Sequence, residues 1–262
     1  MASPWYTSEY NDYFEFRAEL LGPSRNRVLA GRELINAGTL IYGRPDGLAL
    51  YGVPAPLMAA RGLRLLGRTV IECSVDAYVE NFAETIASPE LGASAWTGGI
   101  VADLFCGSGN FGYHLGRRLG MPVHASEIDP LVYAATRHNF QTMSIDVRLK
   151  HTDYRNLLHQ LPAPSVNDIY IIEPPWGTAF TEDGLDLMMT SPPVPGILAD
   201  IQGSRLGHPC FIAIKTNDQI SNDSLSRSFH GAQHLVSVTP PPYLPAGANM
   251  NFHLYVLPYP QV

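Results

Sequence analysis

The chain reads as an α/β protein built on a mostly parallel sheet, and three observations lead there. From residue 100 onward, short apolar runs alternate with helical patterns. A glycine-rich turn, G-S-G-N-F-G at 107–112, joins one such run to a helix. Acidic residues then stand at the ends of the runs that follow. Alternation of this kind implies parallel strands linked by right-handed crossovers.

Taken in order, the first sixteen residues hold six aromatics: Trp5, Tyr6, Tyr10, Tyr13, Phe14 and Phe16. They form either an arm packed on the core or a lid in which Tyr6, Tyr10 and Tyr13 exclude water from a site. Residues 39–51, TLIYGRPDGLALY, read as two short strands joined by an R-P-D-G turn. Residues 74–87 read as an amphipathic helix capped by Ser74, with Val75, Val79, Phe82 and Ile86 on one face. A loop runs from Pro89 to Gly99.

Strands are expected at 100–106, 122–129, 145–149, 168–173, 209–215, 234–240 and 251–258. Pro130 opens the helix after the second of these, which is expected to end near Asn139. The terminal strand pair suits a seven-stranded sheet with an antiparallel edge strand. Residues 1–70 stand apart as an N-terminal α+β extension, an aromatic arm plus a hairpin, ahead of a ligand-binding domain over 71–262.

Composition narrows the class. Of 262 residues 45% are apolar and 16% charged, enough core material to exclude disorder over most of the length. No apolar run approaches the ~18 residues of a bilayer span, and the first residues lack the features of a signal peptide. A cytoplasmic protein with no membrane partner is expected. Cys73, Cys106 and Cys210 lie far apart, and His114, His124, His138 and His151 lack ligand spacing, so no metal is expected.

The net charge of -7 is uneven. Residues 17–68 carry eight arginines against Glu19, Glu33 and Asp46, a surplus of five, whereas 69–262 hold nine basic and 18 acidic groups. An acidic half argues against bulk phosphate binding. RNA would have to be held by the first segment, through Arg25, Arg27, Arg32 and Arg44.

The sharpest motif is D-L-F-C-G-S-G-N-F-G at 103–112, where glycines let the backbone come close to a ligand at a helix start. Alone it suits a dinucleotide equally well. Glu127 ends the second strand 20 residues after Gly107, where an acid bonds ribose hydroxyls. Asp153, after the third strand, can accept from an adenine amine, with Tyr154 available to stack. The fourth strand ends in E-P-P-W-G at 173–177. Four such features in order, at the carboxyl ends of four successive strands, mark the ligand edge of an open α/β sheet.

At this point the chain resembles the class I S-adenosylmethionine-dependent methyltransferases, over roughly residues 75–262. The resemblance implies a Rossmann-like fold and S-adenosylmethionine as cofactor, held by Asp103, Phe105, Cys106, Gly107 and Gly109 at its methionine part. Glu127 would then bind the ribose, with Ile128 beside it among the cofactor-binding residues, and Asp153 and Tyr154 would lie at the adenine. E-P-P-W is similar to the D/N-P-P-Y/F/W tetrapeptide of members that methylate amines. The glycine loop and E-I-D-P look most like those of RNA guanine-N2 methyltransferases, and P-P-W-G also like that of cap trimethylguanosine synthases.

The chemistry accounts for the tetrapeptide. An amine attacking a sulfonium carbon needs its lone pair free and in line with the leaving sulfur. Glu173 and Pro174 offer carbonyls to its N–H groups, and Trp176 a ring to a planar or cationic partner. Glu173 departs from the Asp or Asn of the family pattern by one methylene, enough to disturb a nucleobase amine. It could bind an ammonium, or serve as a base if burial raises its pKa.

Asn139 completes the candidate catalytic set of Glu173, Pro174 and Trp176, although its place at a helix end also suits a cap. Three acceptors are consistent with these residues: a small-molecule amine, an RNA guanine, and the cofactor's own α-amine. The last case resembles azetidine-2-carboxylate synthases, which release 5′-methylthioadenosine.

Overall fold

The computed structural model describes residues 6–91, 96–221, 223–241 and 249–257, with side chains from residue 12 onward. The N-terminal part holds helix α1 (Tyr6–Leu21), α2 (Gly31–Tyr42), the short strands β1 (Ala49–Leu50) and β2 (Val53–Pro54), α3 (Ala55–Met58), α4 (Gly67–Glu72) and α5 (Asp76–Ile86). Strand–helix alternation follows: β3 (Val101–Asp103), α6 (Asn110–Leu119), β4 (Val123–Glu127), α7 (Pro130–Met143), β5 (Val147–His151), α8 (Tyr154–Leu158) and β6 (Ile169–Ile172). A small hairpin, β7 (Phe180–Thr181) with β8 (Gly184–Leu185), precedes α9 (Val194–Ser204) and β9 (Cys210–Asn217). The chain then forms α10 (Ser224–Ser228), β10 (Gln233–Val238) and β11 (Met250–Leu257).

Seven strands make the central sheet, in the order β10-β11-β9-β6-β3-β4-β5. The five from β5 to β9 are parallel, as expected. The reversed strand is β11, one in from the edge: it runs against β9 on one side and against β10, which covers it, on the other. The fold is the Rossmann-like α/β arrangement expected. The parallel strands were legible because strands covered on both faces are almost continuously apolar: all four residues of β6 are buried.

Each face of the sheet carries a core. One packs Ile169, Ile171, Ala213, Phe252 and Leu254 against α5 and α6, and extends without a break to Leu20, Leu34, Leu50, Met58 and Leu65 of the N-terminal part. The other packs Tyr170, Ile172, Ile212, Ile214 and Tyr255 against α8 and α9.

Three local expectations are corrected. Thr39–Tyr42 is the last turn of α2, not a strand. Leu34, Ala37, Gly38 and Ile41 bury one helical face, and Gly43, at φ 77°, caps it. Burial of that stripe overrides the strand preference of T-L-I-Y. R-P-D-G does turn, with the Gly47 amide donating to the Arg44 carbonyl at 2.9 Å, but it leads from the helix into β1. Second, α5 is capped at Val75, which leaves the Ser74 hydroxyl for another task. Third, α7 passes Asn139 and ends at Met143, with Ser144 in the left-handed conformation, so Asn139 is no cap.

Candidate functional site

The loop after β3 lies at the carboxyl edge of the sheet, and its neighbours fix it. The Glu127 carboxylate at the end of β4 accepts from the Gly107 amide at 3.0 Å and from the Asp129 amide at 2.7 Å. Thr136 of α7 donates to the Gly107 carbonyl at 2.6 Å. Tyr51, between β1 and β2, donates through its hydroxyl to the Ser108 carbonyl, and its amide donates to Asn110 at 2.9 Å. The N-terminal part thus supports the loop from behind, through a tyrosine held at φ 57°.

The three glycines differ in their reasons. At Gly107, φ is +52° and an added Cβ would meet nothing within 4 Å, so the loop presents bare backbone over open space. At Gly109, φ is +71° and a Cβ would stand 2.4 Å from Phe140 Cζ. At Gly112 it would stand 2.8 Å from Asp103 Oδ2. The first glycine meets a backbone requirement with nothing packed beside it; the other two also serve packing.

Asp103 is buried, with Oδ2 accepting from the Gly112 amide at 3.2 Å and Oδ1 without a hydrogen-bond partner among the described residues. Burial pushes its pKa well up, and Glu173 and Glu127 nearby push it the same way. Burial also raises Glu127, partly offset by the two amides it accepts from. Ile128, 65% exposed, lays an apolar side chain open beside Glu127.

Glu173 departs most from expectation, because it is not alone. Lys215 near the end of β9 sets Nζ 2.6 Å from Glu173 Oε1, and both side chains are largely buried. The other protons of that ammonium go to the Glu72 carbonyl at 2.9 Å and the Ser74 hydroxyl at 3.0 Å. Ser74 in turn donates to Glu173 Oε1 at 3.2 Å. Lys215 Nζ also stands 5.9 Å from the centre of the half-buried Trp176 ring. The sequence reading missed this lysine. The signal available was a charge closing the apolar run P-C-F-I-A-I-K.

Arg68 of α4 is the second unforeseen cation. It is buried, and Nη2 lies 2.6 Å from Asp129 Oδ1, an ion pair that helps hold the Asp129 carboxyl below its usual value. Arg205, just as buried, instead donates to Asp168, Tyr170 and the carbonyls of Ser165, His208 and Pro209.

The remaining candidates fall in different places. Asp153 caps α8, accepting from the Arg155 amide at 2.9 Å. Tyr154 is buried, its ring 4.8 Å from Phe105 and its hydroxyl 2.5 Å from Asp200, so it is not open to stacking, contrary to expectation. Asn139 holds both backbone groups of one residue: it accepts from the Arg64 amide at 2.8 Å and donates to the Arg64 carbonyl at 2.9 Å. That use ties α7 to the N-terminal part and places the residue in support, not among the reacting groups.

Cys106 is buried, with its thiol pushed well up. Pro174 is buried and Trp176 meets Phe180 edge-on at 5.6 Å. Tyr13 packs on the core of the N-terminal part and lies edge-on to Phe14 at 5.0 Å. The side chains of Tyr6 and Tyr10 lie outside the described residues. Of the arginines considered for RNA, Arg27 pairs with Glu33 at 2.6 Å and Arg44 with Asp46 at 3.1 Å. Among the described residues no cluster could hold a metal ion, and no helix is long and apolar enough to cross a membrane.

No family model matches the chain, and no curated protein matches it. Among solved structures, it is similar to a magnesium protoporphyrin IX methyltransferase from Synechocystis with bound S-adenosylmethionine, at 12% identity and a TM-score of 0.46, over 72% of this chain and 88% of that one. It is similar to a tRNA (uracil-54, C5)-methyltransferase from Pyrococcus abyssi with S-adenosylhomocysteine, at 13% identity and a TM-score of 0.47, over 74% of this chain and 42% of the other. It is also similar to a mutant of MtNAS in complex with S-adenosylmethionine, at 14% identity and a TM-score of 0.47, over 95% of this chain and 75% of that one.

Proposed function

We propose that the chain is an enzyme that uses S-adenosylmethionine and in which an amine is the nucleophile, with methyl transfer to a small-molecule amine as its reaction. One observation carries this reading. The glycine loop, Glu127, Asp153 and E-P-P-W stand side by side at the carboxyl ends of β3, β4, β5 and β6, which are adjacent in the sheet.

The residues present fit the cofactor. Open space over Gly107 admits it, Oδ1 of Asp103 is a buried acceptor lacking a donor among the described residues, and Ile128 offers an apolar surface for the adenine. When bound, the cofactor supplies a methyl group on a cationic sulfur. Glu127 would orient the ribose, and E-P-P-W would hold the amine on the line of attack. The paired Arg27 and Arg44 are poor contacts for phosphate, which weighs against RNA.

A second reading, the cofactor's own α-amine attacking its γ-carbon with release of 5′-methylthioadenosine, draws on the roof over Glu173. Ser74 donates to that carboxylate, and the Glu72 carbonyl and the Ser74 hydroxyl accept from its lysine.

The test is incubation with S-adenosylmethionine, alone and with a panel of amines, with products identified by mass spectrometry. S-adenosylhomocysteine plus a methylated amine, seen only when an amine is added, is the expected result. 5′-Methylthioadenosine with no amine added would select the second reading. No binding and no turnover would sink both.

A further inference from the structure

We propose that Asn110 is a positioning residue of this site: it holds the start of α5 against the glycine loop and, through Ser74, sets the Lys215–Glu173 pair in register with what that loop binds. The inference rests on the reading above and deepens it. It makes docking of the N-terminal part a condition of turnover and not of cofactor binding.

Asn110, the first residue of α6, is fully buried and uses its whole side chain. Its oxygen accepts from the Tyr51 amide at 2.9 Å, and Nδ2 donates to the Ser74 carbonyl at 2.8 Å and to Asp76 Oδ1 at 2.9 Å. A carboxamide offers the acceptor and the two donors that these partners require. An aspartate at this position would face the Asp76 carboxylate with no proton to give. An apolar residue would leave the Tyr51 amide and the Ser74 carbonyl without partners. Asp76 is itself pinned, with Oδ2 accepting from the Gly52 amide at 2.8 Å and His114 of α6 setting Nε2 2.8 Å from Oδ1. Three segments distant in sequence, the β1–β2 turn, the start of α5 and the start of α6, thus meet on one buried side chain.

The two ends of that junction face different parts of the site. Asn110 continues the backbone of Gly107 and Gly109, and over Gly107 a ligand has open space. Ser74, on the other side, turns its carbonyl to Asn110 and its hydroxyl to Lys215 Nζ at 3.0 Å and Glu173 Oε1 at 3.2 Å. The paired residues of β3 and β6 end at Asp103 and Ile171, short of the loop and short of Glu173. Beyond the sheet, the two are tied through Asn110 and Ser74. Misplacing reacting groups by about 1 Å can cost on the order of a hundredfold in rate, so slack in this tie reads as lost turnover. The loop keeps its own bond to Glu127, which preserves cofactor binding.

The test uses the full chain, with S-adenosylmethionine binding followed by calorimetry. Turnover is measured under the condition, amine added or absent, in which the wild type is active. Asn110→Ala is expected to lower kcat about tenfold or more while the cofactor Kd changes less than about threefold. Ser74→Ala is expected to do the same, and Ser74→Thr, which keeps a hydroxyl, to recover most of kcat. The double variant decides. If Asn110 acts through Ser74, the pair is within about twofold of the slower single variant. A double variant slowed by the product of the two single effects overturns the proposal. So does an Asn110→Ala chain that unfolds at lower urea yet keeps kcat within about twofold of the wild type. If Asn110→Ala does not fold, Asn110→Ser takes its place in the cycle, and an unchanged kcat in Ser74→Ala overturns the proposal by itself. A wild-type chain that neither binds nor consumes S-adenosylmethionine removes the underlying reading and the proposal together, an outcome visible before any variant is made.

Discussion

Gly109 shows how a residue in a ligand motif can owe its identity to packing. A Cβ there would stand 2.4 Å from Phe140 Cζ, at a φ of +71°. Gly109→Ala must therefore either push the Phe140 ring away from Tyr51, which it meets at 5.8 Å, or tilt the loop off Glu127. The expected cost is about 2 kcal/mol or more, read as a lower urea midpoint together with weaker S-adenosylmethionine binding by calorimetry. Wild-type values on both would show that the loop has slack. The type of residue at each site position is legible in the sequence; its neighbours are not. Glu127 and Asp103 were legible because their spacing from the glycines is local to the motif. Lys215 and Ser74 were not, because the ion pair with Glu173 spans distant segments.

Among the elements, the buried parallel strands were readable from continuous apolar runs, and the helices that flank them from Pro130 and the glycine turn. The N-terminal elements were less so. T-L-I-Y has strand-forming residues but closes α2, since Leu34, Ala37 and Ile41 must face one core. Strand β11 carries a pH dependence of its own. His253 is buried there, its ring bonded to Thr216 at 2.9 Å and Ser237 at 2.6 Å, and burial, helped by His234, lowers its pKa to about 4. The folded state thus favours the neutral ring. That stabilisation is complete above the unfolded value near 6.5 and is lost as pH falls toward 4, with a slope of at most about 1.4 kcal/mol per pH unit. Urea titrations at about pH 7.5 and about pH 5, either side of that unfolded value, should show His253→Gln losing less stability on acidification than the wild type. Equal losses would assign the acid sensitivity to other groups.

For the whole molecule, the core that joins Leu20, Leu34 and Leu65 to Phe111, Phe252 and Leu254 makes residues 6–70 part of what covers one face of the sheet. Each such side chain contributes about 1.5–3 kcal/mol by burial, so loss of several exceeds the stability of an ordinary domain. A chain of residues 71–262 is expected to lack cooperative unfolding and to bind a hydrophobic dye, whereas the full chain unfolds in one transition by fluorescence and circular dichroism. A truncated chain with a sharp transition would show the two parts to be separable. The cysteines add a practical consequence. Burial pushes the thiols of Cys73 and Cys210 up to about 12 and raises that of Cys106 well above its usual value. Thiolate is the species that reacts with maleimides and oxidants, so at neutral pH the native chain is close to silent toward both. A single cysteine introduced on the exposed side of α1 would then take a fluorophore or spin label selectively, and could report how the N-terminal helix moves when ligand enters.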